Sequence, residues 1–255
     1  MKIRHIRLTE VNSTNSYLKG YPQEPDEELT FVWSDSQTAG RGCGTNTWES
    51  EPGKNLTFSL LFHPLAVPPS KQFIISMANA LALRDTLLAF VSDIVIKWPN
   101  DIYWHDCKLA GTLIETTLKQ GRIRDCIIGT GLNVNQERFI SDAPNPVSLC
   151  QISGHPFDRE EVAAKVVEQL TRYLALLDAP ESWNILRHNY QKALYRRGEL
   201  CPYHTPDGNL FHAILESVDD DGTLVLNEEG KERRFGFKEV VFDLRPNTNP
   251  IFPSL

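Results

Sequence analysis

Residues 97–111 constrain this chain most, because they place charged and turn-forming residues between two apolar, β-prone segments. The stretch contains Lys-Trp-Pro-Asn-Asp, a short connection, and then Lys-Leu-Ala-Gly. Pro99 fixes its own φ and favours an extended residue before it, so we expect a strand to end here and the chain to turn. Lys108 is predicted to begin the returning strand, and Gly111 would let another group approach the backbone closely. Two lysines and an aspartate at this corner suit an anion, although plain hairpins with solvated charges show the same pattern.

A glycine-rich loop follows the second predicted strand. Its glycines are Gly40, Gly42 and Gly44, and Arg41 lies among them. Backbone N–H groups of such loops can converge on an anion, and a guanidinium is a rigid fork for carboxylate or phosphate. The spacing matches neither the P-loop nor the dinucleotide-binding pattern, and a mobile surface loop is the alternative. Trp48, beyond the loop, is either a core residue or a platform for a planar ring; composition favours the core.

Two further polar segments are candidates for ligand binding. Residues 12–15 read Asn-Ser-Thr-Asn before a short predicted helix, which indicates either a simple helix cap or a group of ligand-binding side chains. Gly129 and Gly131 interrupt a strand pattern, and such glycines suggest close approach of a ligand or another backbone. Asn133 follows them and either points into the same site or closes a turn.

The remaining pattern predicts a larger α/β region followed by a small all-β region. Helices are predicted over 70–90, from Asp158 onward, and over 180–194, each with an apolar stripe at helical spacing. Residues 141–157 are rich in Pro, Ser, Asn and Gly and are predicted to form an extended connection. Short strands with turn signals follow Gly198, which predicts a barrel of about five strands. Strands are predicted in the first region over 3–8, 30–33, 55–62, 94–96, 113–118 and 125–135.

Composition narrows the classes of protein that fit. The formal net charge of −7 argues against a duplex nucleic-acid binder. The first ten residues carry charges and no apolar core of a signal peptide, and no run is long enough to span a bilayer. The five cysteines are scattered and form no CxxC pair, which argues against a disulfide framework or a zinc site and favours a reducing cytosol. They are Cys43, Cys107, Cys126, Cys150 and Cys201.

The order of these motifs resembles that of biotin protein ligases. The Lys-Trp-Pro-Asn-Asp string at 97–101, Lys-Leu-Ala-Gly at 108–111 and Gly-Thr-Gly-Leu-Asn at 129–133 carry the resemblance. Ser-Thr-Asn at 13–15 and Gln-Thr-Ala-Gly-Arg-Gly at 37–42 fit the same family, as does the predicted barrel. The resemblance implies an α+β protein with an SH2-like mixed-sheet catalytic domain over 1–194 and an SH3-like barrel over 195–255.

The resemblance also implies chemistry and a site. Biotin's carboxylate would attack the α-phosphate of Mg-ATP to give biotinyl-5′-adenylate, and a lysine of a carrier domain would then take the biotin as an amide. Lys108 and Arg41 would be catalytic. Biotin would be bound by Ser13, Thr14, Asn15, Gln37, Gly40, Arg41, Lys108 and Gly111. ATP and the adenylate would be bound by Arg41, Gly42, Cys43, Trp48, Lys97, Asn100, Asp101, Lys108 and Asn133, with Asp101 also the candidate Mg²⁺ ligand.

The implied partner is the biotin carboxyl carrier domain of a carboxylase or decarboxylase, and the implied location is the cytoplasm. The family contains monomers and dimers, so the resemblance leaves a homodimer open. The first predicted strand begins at Ile3, which leaves no room for a helix-turn-helix, and we expect no DNA binding and no membrane association. Two alternatives remain: a lipoate or octanoyl transferase of the same fold, and a binding protein that has lost adenylation. The retained Lys108 argues against the second.

One loop departs from the family's usual pattern of Gly-Arg-Gly-Arg-x-Gly-Arg-x-Trp. The second and third basic positions are here Cys43 and Asn46, while Arg41 and the length to Trp48 are kept. A cysteine nucleophile is not needed by the family's chemistry, and nothing in the neighbouring sequence would activate it.

We expect the loop to hold the adenylate less firmly than a fully basic loop would. The substitution Cys43→Arg should therefore slow the release of biotinyl-5′-adenylate, because it restores one cation beside an anionic ligand. The measurement is the adenylate off-rate of both forms. An unchanged off-rate would contradict the interpretation.

Overall fold

A computed structural model describes residues 2–24, 27–141 and 145–244. Its first sheet has seven strands in the order β1-β2-β3-β7-β6-β5-β4. The first two strands are parallel and the other neighbours are antiparallel, so the sheet is mixed, as the resemblance implied. The strands are β1 (Ile3–Val11), β2 (Leu29–Gln37), β3 (Leu56–Phe62), β4 (Ile94–Lys97), β5 (Asp101–Trp104), β6 (Cys107–Lys119) and β7 (Arg122–Leu132).

The alternation of side chains in β3 separates two apolar layers. All seven residues of this strand are buried. Leu60 packs into the main core, whereas its neighbour Leu61 packs with Leu18 and Ile127 in a smaller cluster. Successive residues of a strand point to opposite faces, so the small cluster lies on the other face of the sheet from the main core. Leu18 belongs to the short helix α1 (Thr14–Leu18), which places that helix on the second face.

Longer helices cover the main core. They are α2 (Phe73–Leu87), α4 (Arg159–Ala175) and α5 (Trp183–Ala193). The predicted apolar stripe of α4 is confirmed, and the Asp158 carboxylate caps the helix by accepting a hydrogen bond from the backbone N–H of Glu160. Helix α2 differs from prediction, because its residues 74–83 are buried without interruption, whereas an apolar stripe along one side was expected. Within the described ranges, no helix has both the length and the apolarity needed to cross a membrane.

Two predictions about connections are wrong. The stretch 97–111 forms two consecutive hairpins instead of one corner, because β5 pairs with β4 on one side and with β6 on the other. Residues 141–157 are not wholly extended: where the structure describes them, they contain the short helix α3 (Leu149–Ser153). The side chains of Ser148 and Gln151 form a reciprocal capping box that starts α3.

The second sheet is antiparallel, with the order β11-β10-β9-β8-β12. The chain passes from helix to sheet between Ala193 and Leu200, around the predicted boundary at 194/195. Residues 245–255 of the predicted second domain lie outside the described part of the chain, as do residues 1, 25–26 and 142–144. The strands are β8 (Leu200–His204), β9 (Leu210–Val218), β10 (Leu224–Glu228), β11 (Lys231–Phe235) and β12 (Val241–Phe242).

The turn before β10 holds the end of β4 in place. Trp98 donates an indole hydrogen bond to the carbonyl of Gly222 at 2.8 Å. The Phe73 ring packs so closely on Gly222 that a Cβ there would lie 2.7 Å from its Cδ2. From α5, the Tyr190 hydroxyl donates to the carbonyl of Pro99 at 2.7 Å. The second sheet and helix α5 therefore both contribute to fixing the corner that leads to Asp101.

Gly222 offers a test of this contact. Its φ is +93°, and the matched glycine Gly208 has a φ of +90° but no atom within 4 Å of the position that a Cβ would take. Alanine at either position adopts the unfavourable left-handed conformation, but only Gly222→Ala also collides with Phe73. We expect Gly222→Ala to lower the free energy of unfolding by about 1 kcal/mol or more beyond Gly208→Ala. Urea unfolding measures both, and equal losses would contradict the contact.

Candidate active site

A cavity of about 1070 Å³ lies over the α1 face of the first sheet, closed by the glycine-rich loop and by residues of the second sheet. The cavity brings together residues that are distant in sequence. Among the predicted site residues that line it, the first is Ser13 and the last is Gly111, 98 positions later. The predicted residues that line it are Ser13, Thr14, Asn15, Gln37, Arg41, Gly42, Cys43, Trp48, Lys97, Asn100, Asp101, Lys108 and Gly111.

A buried polar network forms one end of the cavity. The Gln37 side-chain oxygen accepts hydrogen bonds from the backbone N–H of Thr14 at 2.8 Å and from its hydroxyl at 3.1 Å. The Ser59 hydroxyl lies 2.7 Å from Thr14 Oγ1 and 2.5 Å from Asn15 Oδ1. Thr14, Asn15 and Ser59 are buried, Gln37 is half-buried, and all four have hydrogen-bond partners, so their orientations are fixed before any ligand arrives.

Three glycines make the floor of the cavity flat. Gly111 of β6 and Gly131 of β7 are direct cross-strand partners. The Trp48 indole lies against both, since a Cβ would stand 2.9 Å from its Cζ3 at Gly111 and 2.1 Å from its Cε2 at Gly131. A Cβ at Gly129 would stand 2.0 Å from Asn15 Oδ1. The predicted close approach at Gly129, Gly131 and Gly111 is therefore confirmed.

Trp48 is half-buried and its indole nitrogen has no hydrogen-bond partner among the described residues. The indole lies on the glycine floor with its ring centroid 5.8 Å from Lys108 Nζ. This position makes Trp48 a wall of the cavity and not a member of the main core. A buried donor without a partner is available to an acceptor of a ligand.

The hairpin corner places two lysines in the cavity. Lys108 Nζ donates a hydrogen bond to Asp101 Oδ2 at 2.7 Å, across the paired strands β5 and β6. Lys97 Nζ lies 5.5 Å from the centre of the Tyr103 ring and 4.6 Å from that of Phe242. Burial lowers the pKa of Lys97, although the nearby Asp101 carboxylate opposes this effect. Lys97 makes no ion pair with any acid in the described ranges.

The Glu115 carboxylate joins three elements around the glycine-rich loop. It accepts hydrogen bonds from Arg41 Nη2 at 2.7 Å and from Asn15 Nδ2 at 2.9 Å, and Lys19 Nζ lies 2.9 Å away. Burial alone would raise the pKa of Glu115, but the hydrogen bonds from Arg41, Lys19 and Asn15 outweigh it and lower the pKa to about 2. The guanidinium of Arg41 is therefore already paired before a ligand binds.

Two predicted site residues do not line the cavity. The Gly40 carbonyl accepts a hydrogen bond from the backbone N–H of Trp48 at 3.0 Å, so Gly40 closes the base of the loop. Asn133 is buried and its amide donates to the carbonyl of Val147 at 3.0 Å. Its Oδ1 has no partner within the described ranges. Gly40 shapes the site through the backbone, and a ligand role for Asn133 stays a prediction.

Sequence reasoning missed several contributors to the site. Ser59 is a polar residue inside the largely apolar string Leu-Thr-Phe-Ser-Leu-Leu-Phe, and Glu115 is two strand periods beyond Gly111 on the same face. Both signals were readable from the alternation of β3 and β6. Residues of the second sheet carried no such signal, because only the tertiary structure brings them to the cavity. These are Phe237, Lys238, Val240, Val241, Phe242 and Leu244.

Comparisons with known proteins agree with this architecture. The sequence model of the biotin/lipoate A/B protein ligase family matches residues 8–133. The bifunctional ligase/repressor BirA of Bacillus spizizenii is 36% identical over 223 residues, which are 84% of this chain and 64% of that protein. BirA of Escherichia coli K12, also a bifunctional ligase/repressor, is 33% identical over 226 residues, which are 88% of this chain and 69% of that protein.

A solved biotin protein ligase from Aquifex aeolicus, in complex with biotin and ATP, superposes with a TM-score of 0.78 at 24% identity. The match covers 95% of this chain and 99% of that one. The fold is therefore the mixed-sheet α+β fold of a biotin protein ligase, with a second, antiparallel sheet. Together with the sequence matches, this shows that the chain belongs to the biotin/lipoate A/B protein ligase family.

The Glu115 contacts lead to a pH-dependent test. Because the folded-state pKa is lowered from the ordinary value of 4.5 to about 2, the contacts stabilise the fold above pH 4.5 and this stabilisation is lost as the pH falls toward 2. We expect Glu115→Gln to be less stable than the unmodified chain at about pH 6, with a smaller difference at about pH 3. Urea unfolding at both values measures this, and a pH-independent difference would contradict the ionic role of Glu115.

Proposed function

We propose that this chain is a biotin protein ligase that activates biotin with ATP and transfers it to a lysine of a carrier domain. The observation that carries the proposal is Lys108, which lines the same cavity as the polar network around Thr14 and whose amine pairs with Asp101. Family membership supports the same activity, and this chain spans 64% and 69% of the two relatives described above.

The first reaction must bring two anions together. A carboxylate oxygen of biotin would attack the α-phosphorus of ATP, and the bond from that phosphorus to the bridging oxygen would break as pyrophosphate leaves with the electron pair. Lys108 would stand between the carboxylate and the α-phosphate, where a preorganised cation stabilises the charge of the transition state. The Asp101 contact at 2.7 Å would hold the amine in position until the substrates arrive.

The second reaction transfers the acyl group. The neutral amine of the carrier's lysine would attack the acyl carbon of the adenylate, the bond from that carbon to the phosphate oxygen would break, and the amine would lose a proton. AMP would leave with the electron pair. Gly111 and Gly131 would support this step indirectly, because the absence of side chains there lets the Trp48 indole lie flat against the two strands and form one wall of the site.

The polar network would recognise the ureido ring of biotin. Ser13, Thr14 and Gln37 line one end of the cavity, and Asn15 is held beside them by Ser59 and Glu115. The ureido ring would replace some of the hydrogen bonds within this network, and a ring without the ureido nitrogens would leave the displaced groups unpaired at a cost in free energy, so the network would discriminate against such rings.

The nucleotide would occupy the opposite end. Trp48 would contact the adenine, and Asn100, Asp101 and Lys97 would contact the nucleotide from the corner, with Gly42 and Cys43 in the loop. Arg41 is paired with Glu115, so we assign it first to positioning the loop; binding phosphate would require it to exchange that partner. Asn133, through its unpaired Oδ1, is retained as a nucleotide contact.

Mg²⁺ would accompany ATP. Among the described residues, no cluster of three or more His, Cys, Asp or Glu side chains could hold a metal ion. Mg²⁺ in nucleotide sites is commonly held by one or two carboxylates and by the phosphates themselves, and Asp101 fits the single-carboxylate role. Asp101 would then be shared between the cation and Lys108.

The remaining assignments follow from the same proposal. The partner is the biotin carboxyl carrier domain of a carboxylase or decarboxylase, and the place of action is the cytoplasm. We interpret the second sheet as the SH3-like barrel of the family and retain the domain boundary at 194/195. Homodimer formation stays open, and DNA binding is not part of the proposed activity, in line with the net charge of −7.

Biotin is favoured over lipoate or octanoate as the acid. The family model spans both groups of enzymes, but the two named relatives are BirA proteins and the matched structure is a biotin protein ligase. The retained Lys108 argues against a protein that only binds biotin, because such a protein has less use for a cation that would face the α-phosphate of ATP.

The test is biotin-dependent exchange of labelled pyrophosphate into ATP. The unmodified chain should catalyse it, and Lys108→Met should lower the rate by at least about a hundredfold, since a preorganised charge contributes on that scale. The matched control is Lys119→Met, at the exposed far end of β6, which should keep the rate.

Circular dichroism and a thermal midpoint would establish that both variants fold. Exchange that depends on lipoate or octanoate would favour the transferase alternative, and absence of exchange with all three acids would exclude the ligase and favour either a transferase that uses no ATP or a binding protein. A Lys108→Met variant with the full rate would overturn the assigned mechanism.

A further inference from the structure

The turn between β11 and β12 presents a lysine to the cavity. The Glu239 carboxylate accepts a hydrogen bond from the backbone N–H of Gly236 at 2.7 Å, and the Glu239 N–H donates to the Gly236 carbonyl at 3.1 Å. Lys238, inside this closed turn, has a φ of +69°, which is unusual for a residue with a side chain. The turn is anchored by the buried Val240 and by Phe242 of β12. Its shape is therefore fixed by its own hydrogen bonds and by the core beneath it.

Lys238 reaches the glycine-rich loop. A Cβ on Gly44 would lie 2.6 Å from Lys238 Nζ, so the amine occupies the space that a side chain at Gly44 would take. Lys238 lines the same cavity as Lys108 and Lys97. Its amine makes no ion pair with an acid in the described ranges, and its ring neighbour is Phe237 at 5.8 Å. An amine between the loop and the cavity, with no acid beside it, is available to an anionic ligand.

The loop itself has little free positive charge. Arg41 is the basic residue between positions 40 and 48, and Glu115 already binds its guanidinium through two hydrogen bonds. Cys43 and Asn46 line the cavity without charge. A cation that serves a phosphate at this end of the cavity must therefore come from outside the loop. Lys238 meets that requirement from the second sheet, and a lysine's flexible stem lets its charge follow a ligand.

We propose that Lys238 is a phosphate-binding residue of the nucleotide site, contributed by the second sheet in place of charge that the loop lacks at positions 43 and 46. The inference rests on the proposed function and adds a residue to it. Lys238 contacts a phosphate oxygen of ATP and of the acyl-adenylate, and so slows the release of the intermediate. The second sheet thereby takes part in ligand binding as well as in holding the corner at Trp98.

The first experiment compares Lys238→Gln with Lys238→Arg and with Lys231→Gln. Lys231 is an exposed lysine on the neighbouring strand β11 that does not line the cavity. Lys238→Gln should raise the KM for ATP and the adenylate off-rate by roughly three- to tenfold, the range of one charge-assisted contact near solvent. Lys238→Arg should keep the KM for ATP and the adenylate off-rate close to those of the unmodified chain, and Lys231→Gln should leave both unchanged. The thermal midpoints of all variants should be alike. Equal values for Lys238→Gln and Lys231→Gln would overturn the inference.

The second experiment asks whether Lys238 supplies charge that the loop lacks. In a Cys43→Arg background the new arginine provides a cation in the same cavity. Lys238→Gln should then raise the KM for ATP and the adenylate off-rate by a clearly smaller factor than it does in the unmodified chain. A loss of the same size in both backgrounds would contradict this shared role.

Failure of the proposed function is distinguishable from failure of this inference. If the unmodified chain shows no biotin-dependent exchange, the proposed function fails, and Lys238 is tested by calorimetric binding of ATP alone. Weaker ATP binding by Lys238→Gln than by Lys231→Gln would still support the phosphate contact, and equal binding would overturn it. If exchange is normal but insensitive to Lys238, only the further inference fails.

Discussion

The ion pair of Lys108 with Asp101 is the interaction on which the rest of the site depends. Two consecutive hairpins, β4–β5 and β5–β6, bring the two side chains together at 2.7 Å. The hairpins keep their position because Trp98 and Pro99 hydrogen-bond to groups of the second sheet and of α5. The cation that the proposed chemistry requires is therefore positioned by the second sheet and by α5 as well as by its own hairpins.

Charge in the cavity is distributed among elements that are distant in sequence. Lys97 is enclosed by two aromatic rings, one of them from β12, and Arg41 is held by Glu115 of β6. Each cation is restrained by a different neighbour, so a bound anion would meet charges whose positions are already set. This preorganisation is what lets fixed charges act on a transition state without a reorganisation cost during the reaction. The exposed Lys238 is the exception, because the turn fixes its backbone while its amine pairs with no acid among the described residues.

Much of the fold was predictable from local pattern, and the failures have clear causes. The largely apolar, fully buried β3 and the amphipathic α4 were found because their patterns are strong. The strand β5 was missed because Asp101–Trp104 is only four residues long and directly follows turn-forming residues. The helix α3 was missed because its capping box lies in a segment whose composition indicates a loop. The burial of α2 on all sides was not predicted, because it depends on contacts with residues that are distant in the sequence.

By itself, the sequence determined the polar and glycine motifs and the order in which they occur, because these depend on residue type and spacing. It predicted close approach at Gly111, Gly129 and Gly131, since a glycine within a strand leaves room for a neighbour. Only the tertiary structure decided what fills that room: Trp48 lies on two of these glycines and Asn15 on the third. The pairing of Arg41 with Glu115, 74 positions away, and the approach of Lys238 to Gly44 were likewise decided by the fold. Such contacts arise from strand register and from the packing of the two sheets, which local sequence does not encode.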